Sequence, residues 1–290
     1  VTPAPSDPRV TAVILTHNRA AGVAQTAERV LRLSRPASVI VIDSGSTDGT
    51  AEHLAACVPE IEVVTLPTNV GASGRNAGVE RARTPYVALC DDDTWWAPGA
   101  MSRAADLLDA HPRLAVVVAR ILVGPEESLD ATCVRMAASP LPRSAAVPGI
   151  PILGFMAGAS VVRRSAFLAA GGFEPRFFLG GEEMLLAVDL AAAGWALAYV
   201  PEIVVYHHPS RLRDARLRAR VCARNALWFA WLRRPAPCAL RESLRIVRDA
   251  CCDASLLPAL IEALCGLPWV LRRRRVVPPD VERGLRLIGA

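Results

Sequence analysis

Apolar residues in the first third of the chain fall into short β-branched runs, and each run ends in a polar cluster. Val10 to Leu15 stops at Thr16-His17-Asn18-Arg19, and Val39 to Ile42 stops at Asp43. Ile61 to Leu66 is a third run, and Tyr86 to Cys90 runs into Asp91-Asp92-Asp93. Continuous apolar runs of this length predict strands buried on both faces. Between them, Ala21 to Leu33, Thr50 to Ala56 and Ala72 to Ala82 have helical spacing. Strands alternating with helices predict an α/β fold whose central sheet is mostly parallel and flanked by helices. In such sheets ligands bind at the carboxyl ends of the strands, where all the polar clusters fall.

Beyond residue 114 the pattern loosens. Leu114 to Leu122 predicts another strand, and Gly124 to Gly149, with four prolines, predicts a loop-rich insertion. Glu182 to Ala193 is expected to be helical, and Ala196 to Tyr206 a strand interrupted by Pro201. Arg211 to Leu232 is expected to be a helix with Leu217, Val221, Trp228 and Leu232 on one face and Arg213, Arg216, Arg220 and Arg224 as a basic stripe. This divides the chain into a catalytic part, 1–210, and a helical, arginine-rich C-terminal extension, 211–290. The first part splits into a regularly alternating half of about 9–120 and a looser half of about 121–210.

Composition sharpens the picture in three places. All 33 basic residues are arginine, so lysine-dependent chemistry (Schiff bases, pyridoxal phosphate, P-loops, kinase-type phosphoryl transfer) is excluded. The net charge of +5 conceals an acidic first part and a basic tail: residues 211–290 carry 17 arginines against 7 acids. The eight cysteines lack metal-site or regular spacing, and the first residues lack a charged segment followed by an apolar run. Both features read as a protein of a reducing, cytoplasmic compartment.

The chemistry concentrates in a few motifs. Three adjacent aspartates repel one another and are best tolerated where a cation offsets them. On an extended backbone Asp91 and Asp93 point one way and Asp92 the other, so a pair of hard oxygens suits magnesium or manganese; a solvated acidic turn is the plain alternative. Asp43 ends a strand beside Ser44-Gly45-Ser46-Thr47-Asp48-Gly49, where Asp48 is expected to cap the next helix. Asn69 to Gly78 is glycine-rich and places Arg75 at a helix start, where it could meet a phosphate.

In this order the segments resemble the family 2 glycosyltransferases. Thr16 to Arg19, Ile42 to Thr50, Asn69 to Gly78, Asp91 to Asp93 and Gly171 to Glu183 with Ala193-Gly194-Trp195 are similar to that family's successive motifs. The resemblance implies a GT-A (Rossmann-like) fold and an inverting transfer of sugar from a UDP- or dTDP-sugar, rhamnosyltransferase-like, with Mn or Mg assistance. It places Thr16, Asn18, Arg19, Asp43, Arg75, Asp91 and Asp92 on the nucleotide side, and Asp93, Asp91 and His207 at the metal, with His208 the other candidate. Glu183 stands at the general-base position with Glu182 as fallback. Gly158 is a sugar- and acceptor-side candidate, and Trp95, Trp96 and Trp195 could stack on sugar faces, with a core role equally open for Trp195. The chain departs from the family in carrying glutamate rather than aspartate at 183, and Leu185 where an acid is usual.

The implied acceptor is a saccharide, a lipid-linked or a small molecule, as in cell-envelope or natural-product glycosylation. Two other classes stay open: a catalytically silent nucleotide-sugar-binding scaffold, and a nucleotidylyltransferase, which would call for a glycine-rich first loop and catalytic basic residues. The basic helix has two readings, solvated arginines over a packed face or contact with anionic lipid headgroups at the inner face of the membrane. Ala254 to Leu271 is apolar but holds Glu262, Pro258 and Pro268, so it is expected to lie in an interface and not to cross it. Nucleic-acid binding is not expected.

Overall fold

The computed structural model describes residues 7–33, 37–145, 147–209 and 215–289. The chain opens with β1 (Val10–Thr16), α1 (Ala20–Leu31), β2 (Ser38–Ser44), α2 (Thr50–Cys57) and β3 (Glu62–Leu66). A single 3-10 turn leads into α3 (Gly74–Arg81), followed by β4 (Tyr86–Asp91), β5 (Thr94–Trp96), α4 (Ala100–Ala110) and β6 (Leu114–Val123). The middle region holds β7 (Ser128–Leu129), α5 (Ala131–Ala137), β8 (Ile150–Pro151), β9 (Ala159–Arg163) and α6 (Arg164–Ala169). Then come α7 (Glu182–Ala192) and β10 (Ala196–His207). The extension consists of α8 (Ala215–Arg233), α9 (Ala236–Cys252), α10 (Leu257–Arg273) and α11 (Pro279–Leu287).

One sheet runs through the molecule in the order β3-β2-β1-β4-β9-β6-β10-β5. The first four strands are parallel, as the alternation of strands and helices predicts. β9 enters antiparallel between β4 and β6, so the sheet as a whole is mixed. The register brings Thr16 beside Asp43 and Leu15 beside Asp91, which gathers three of the polar clusters on one edge. Gly78 and Gly74 explain the close seating of α3: a Cβ would lie 2.3 Å from Val13 Cγ1 at the first and 2.7 Å from Leu15 Cδ1 at the second. Their lack of a side chain serves helix–sheet packing.

β10 accommodates Pro201 by a register shift against β6 between Val200 and Val204, the irregularity a proline needs inside a ladder. The segment read as loop-rich, 124–149, does contain a helix, α5, capped by Asp130 through the Thr132 amide at 2.6 Å. α4 carries no motif and escaped the sequence reading, yet Met101, Ala104, Ala105 and Leu108 bury its inner face in the core.

A second apolar core joins the extension to the catalytic part. Phe177, Leu185 and Val188 pack with Leu227, Trp228, Leu232, Trp269 and Val270. Leu185, which stands where an acid was expected, is 5% exposed there, so an acid at this position would be buried without a partner. Polar contacts reinforce the junction. Asn225 is 1% exposed and donates through Nδ2 to the carbonyls of Phe177 (2.7 Å), Leu179 (3.2 Å) and Gly180 (2.6 Å). Arg224 donates to the carbonyls of Arg176 and Phe177, and Arg233 pairs with Asp189.

These contacts correct the expected basic stripe. Arg213 lies outside the described residues; Arg224 and Arg220 turn toward Glu262, and Arg224 also covers the Trp228 ring at 4.4 Å. Of the three described, Arg216 is the exposed one. Replacing Asn225 with alanine removes the Nδ2 donor from the Leu179 and Gly180 carbonyls and leaves that of Phe177 to Arg224 and the Leu179 amide, which costs about 2 kcal/mol. Thermal and urea unfolding of Asn225→Ala should show that loss, and an unchanged midpoint would mean the junction does not couple the two parts.

Candidate active site

The carboxyl ends of β1, β2 and β4 open into a cleft of about 470 Å³ whose far wall is the start of α7 and the start of α8. Thr16, His17, Arg19, Arg75, Asp91, Asp92, Asp93, Gly158, Glu182, Glu183 and His207 line it together. Residues separated by almost two hundred positions thus meet in one space. Lining residues given no site role from the sequence include Met156 and Ala157 before β9, Phe178 and Leu179 in the loop before α7, and Leu217 and Arg218 on α8.

The three aspartates leave the strand on a turn, since β4 ends at Asp91 and β5 begins at Thr94. All three therefore reach the cleft, in place of the alternation an extended backbone would give. Asp91 pairs with Arg75. Asp92 accepts the Thr16 hydroxyl at 2.9 Å, and burial pushes its carboxyl up to about 6. Asp93 Oδ1 lies 3.4 Å from His207 Nε2, and both side chains are largely buried.

His208 turns the other way, its ring edge-on to Trp95. Asp93 and His207 are thus the pair that could hold a metal ion. Among the described residues no group of three or more His, Cys, Asp or Glu is arranged to do so alone. Two protein donors fit a magnesium- or manganese-like ion, which keeps water and takes substrate phosphate oxygens for its remaining ligands.

Arg75, expected on the nucleotide side, sits among the carboxylates. It is 7% exposed, and its Nε has no hydrogen-bond partner. Its charge also lowers the cost of ionising Glu182 and Glu183. Glu183 Oε1 accepts the Ala157 amide at 2.6 Å. Burial, then the neighbouring Glu182 charge, pushes the Glu183 carboxyl up to about 7. Burial also raises Glu182, whose Oε2 has no partner.

The loop that delivers this pair is tightly drawn. Phe178 has φ 60° and ψ −61° with Leu179 N–H donating to the Phe177 carbonyl at 2.6 Å, a γ-turn of the strained hand. The Phe178 carbonyl in turn accepts the Ala72 amide at 2.7 Å and abuts Gly71, where a Cβ would overlap it. A side chain at 71 is excluded, which accounts for the first glycine of the Asn69–Gly78 motif.

Two sugar-side expectations need correction, and for Trp195 the core alternative holds. Trp96 is 1% exposed, with its indole N–H on Cys90 Sγ, so it is a core residue. Trp95 carries the Arg29 guanidinium 3.8 Å from its ring centre and stacks on Tyr206, outside the cleft. Trp195 packs against the main core near Arg163, also away from the cleft. Aromatic rings next to a chemical motif were taken for stacking platforms, but β5 pairs with β10 and turns them into the sheet. Asn18 and Asp43 stand behind the cleft wall: Asn18 accepts the Thr47 amide, and Asp43 accepts the Ser46 amide. Asp48 accepts the Thr50 amide, but the N-cap of α2 is Gly49, so Asp48 braces the turn ahead of the helix instead of capping it.

Comparison with known proteins places this geometry. The family model "Glycosyl transferase family 2" matches residues 11–169. The N-acetylglucosaminyl-diphospho-decaprenol L-rhamnosyltransferase of Mycobacterium tuberculosis is 26% identical over 257 residues, covering 74% of this chain and 83% of the relative. The pre-mycofactocin glycosyltransferase of the same organism is 30% identical over 221 residues, 72% of this chain and 45% of the relative. Among solved structures, the mannosyltransferase PcManGT from Pyrobaculum calidifontis, in complex with GDP-Man and Mn2+, superposes with TM-score 0.60 at 20% identity over 100% of this chain and 88% of that one. S. aureus TarS 1-349 with UDP-GlcNAc gives 0.59 at 14% identity, over 77% and 65%. The fold is that of the GT-A glycosyltransferases.

Gly158 borders the carboxylates of the cleft directly. A Cβ there would lie 2.5 Å from Asp91 Oδ2, so Gly158→Ala must displace the carboxylate that pairs with Arg75. Calorimetric titration of Gly158→Ala with nucleoside diphosphates is expected to show at least about tenfold weaker binding, or about 1.4 kcal/mol. Retention of wild-type affinity would place the diphosphate elsewhere.

Proposed function

The chain belongs to glycosyl transferase family 2, and from that premise we propose that it performs an inverting sugar transfer from a nucleoside-diphosphate sugar to an acceptor hydroxyl, with a divalent cation at Asp93 and His207. The supporting observation is that Asp93 and His207 share one cleft with a buried carboxylate pair, Glu182 and Glu183. One end of the cleft has the donors for a cation and a diphosphate, and the other has a base.

In this reading Glu183 takes the proton from the acceptor hydroxyl as its oxygen attacks the anomeric carbon from the face opposite the departing diphosphate. A base with a pKa near the working pH combines availability with driving force, and about 7 meets that condition. The Ala157 amide fixes one carboxylate oxygen and leaves the other to accept the proton. The cation would neutralise charge on the leaving diphosphate. Thr16 orients Asp92, and Arg75 pairs with Asp91 beside it.

The M. tuberculosis rhamnosyltransferase suggests a deoxyhexosyl donor and an acceptor sugar carried on a lipid diphosphate. Arg218, on the wall opposite the β-strand ends, supplies a cation suited to such a phosphate group.

A thermal-shift screen against UDP, dTDP and GDP, each with and without manganese, tests the donor site. A ligand that binds only the folded state raises its melting temperature. One nucleotide is expected to do so in a metal-dependent manner, and Asp93→Ala to abolish the effect; no shift with any pair would return the scaffold reading.

The acceptor side predicts a pH limb. Glu183 must be ionised to act, so kcat/KM should fall as pH drops through about 7. Glu183→Gln should lower transfer by about 10²–10⁴-fold with the nucleotide shift retained. Arg218→Ala in the same assay should raise the acceptor KM and keep the limb. A Glu183→Gln enzyme with normal turnover and the pH limb retained would pass the base role to Glu182.

A further inference from the structure

The exposed large apolar residues of this molecule are not scattered. Seven of the eleven among the described residues lie on α9 and α10. On α9, Leu240, Leu244 and Val247 follow i, i+4, i+7 spacing; on α10, Leu257, Ile261, Leu264 and Leu271 continue the same rule. All are between 45% and 67% exposed. Each helix already has an inner apolar face, Cys238, Ile246 and Ala250 on α9 and Ala263, Trp269 and Val270 on α10. The outer stripes therefore do not complete the fold. Both helices pack on α8 and are joined by the short turn 253–256, so the two stripes belong to one supported pair.

Charge frames these stripes. Residues 236–275 carry seven arginines against four carboxylates. Glu242 and Asp249 are paired within α9 by Arg245, and Glu262 is held on the inner side by Arg220 and Arg224. Asp253 accepts the Ser255 amide in the turn. Arg241 and Arg248 flank the α9 stripe, while Arg272 and Arg273 end α10, and all four are exposed. An apolar stripe with an arginine fringe is the pattern of a helix lying in the headgroup layer of an anionic membrane. A second copy of the chain fits less well, because it would set arginine fringe against arginine fringe.

The stretch 254–273 is long and apolar enough to cross a membrane. Its inner face argues against crossing. Glu262 is engaged with two arginines, Trp228 Nε1 donates to the Ala263 carbonyl at 3.1 Å, and a Cβ at Gly266 would lie 2.5 Å from the Trp228 ring. Spanning would require this face to be stripped from α8, and lying flat requires nothing of the kind.

We infer that the outer faces of α9 and α10 are a membrane-docking surface, seated in the interface of a bilayer rich in anionic phospholipid. This goes beyond the transfer reaction and does not depend on it. It keeps the interfacial reading of the 254–271 stretch, adds the α9 leucines to it, and removes the α8 arginines, of which Arg220 and Arg224 are engaged with Glu262.

The test is co-sedimentation of the full chain with vesicles of phosphatidylcholine, alone or mixed with phosphatidylglycerol, at low and high salt. The wild-type protein should pellet with the mixed vesicles and dissociate as salt rises. Ile261→Glu/Leu264→Glu should cut the bound fraction by about tenfold or more, with melting temperature and nucleotide-induced shift unchanged, since both side chains point to solvent. Arg272→Gln/Arg273→Gln should weaken binding and flatten its salt dependence.

Absence of pelleting with mixed vesicles overturns the proposal, and so does a double-glutamate variant that pellets like wild type. A dimer by light scattering that the double-glutamate variant dissociates would assign the surface to self-association, and overturn it equally. Failure of vesicle binding with an intact nucleotide shift leaves the transfer reading untouched, so the two failures are distinguishable.

Discussion

Five carboxylates, Asp91, Asp92, Asp93, Glu182 and Glu183, face one partly dehydrated cleft, and most of the local architecture can be read as the means of holding them there. Like charges at short range in a low-dielectric space raise one another's energy, so each must be paired, hydrogen-bonded or protonated. The chain uses all three. Arg75 pairs with Asp91, Thr16 donates to Asp92, His207 stands by Asp93, and burial drives Glu183 toward the protonated form. Glu182 and Glu183 lie in the first turn of α7, where the helix dipole favours anions by about 0.3–1 kcal/mol. Their carboxyls are nonetheless raised, so desolvation and mutual repulsion outweigh the dipole. That balance is what leaves a carboxylate able to take a proton near neutral pH.

Holding the pair in place falls to a loop with little freedom of its own. Phe178 sits in a strained turn, and Gly180 and Gly181 both have positive φ. Such a path persists only when its surroundings over-determine it. Here they do so from two directions: the Ala72 amide binds the Phe178 carbonyl from the nucleotide half, and Asn225 binds three loop carbonyls from the extension. The loop therefore ties both halves of the cleft to α8.

Much of this was legible in the residues. Buried runs ending in polar clusters located the strand ends, and with them the cleft, because a parallel sheet places all those ends on one edge. The order of motifs from Thr16 to Glu183 gave the family. What escaped detection has identifiable causes. Asn225 looks like any polar residue in a helix, and its three acceptors lie 45 to 48 positions earlier. Helix α4 carries no motif and sits between two segments that do. The tryptophans misled because proximity in sequence to Asp93 says nothing about which way β5 turns them. Leu185 read as a missing acid, whereas the second core gives it an apolar role. Arg75 read as a phosphate ligand from its place at a helix start, but the field it stands in is set by residues from β4 and α7 that no local spacing reveals.

The extension joins these observations into one design. Its inner faces complete the cleft wall with Leu217 and Arg218 and brace the loop before α7, while its outer faces remain apolar after that packing is satisfied. A helix needs only one apolar stripe to pack on a domain; α9 and α10 each carry two. Exposed leucines cost solubility and contribute nothing to the fold, so their helical spacing on both helices calls for a surface that covers them. The helices that would touch that surface rest on α8, and α8 contributes Leu217 and Arg218 to the cleft wall. The outer apolar faces and the cleft therefore share one support, because the helix that closes the cleft is also the one on which both stripes are mounted.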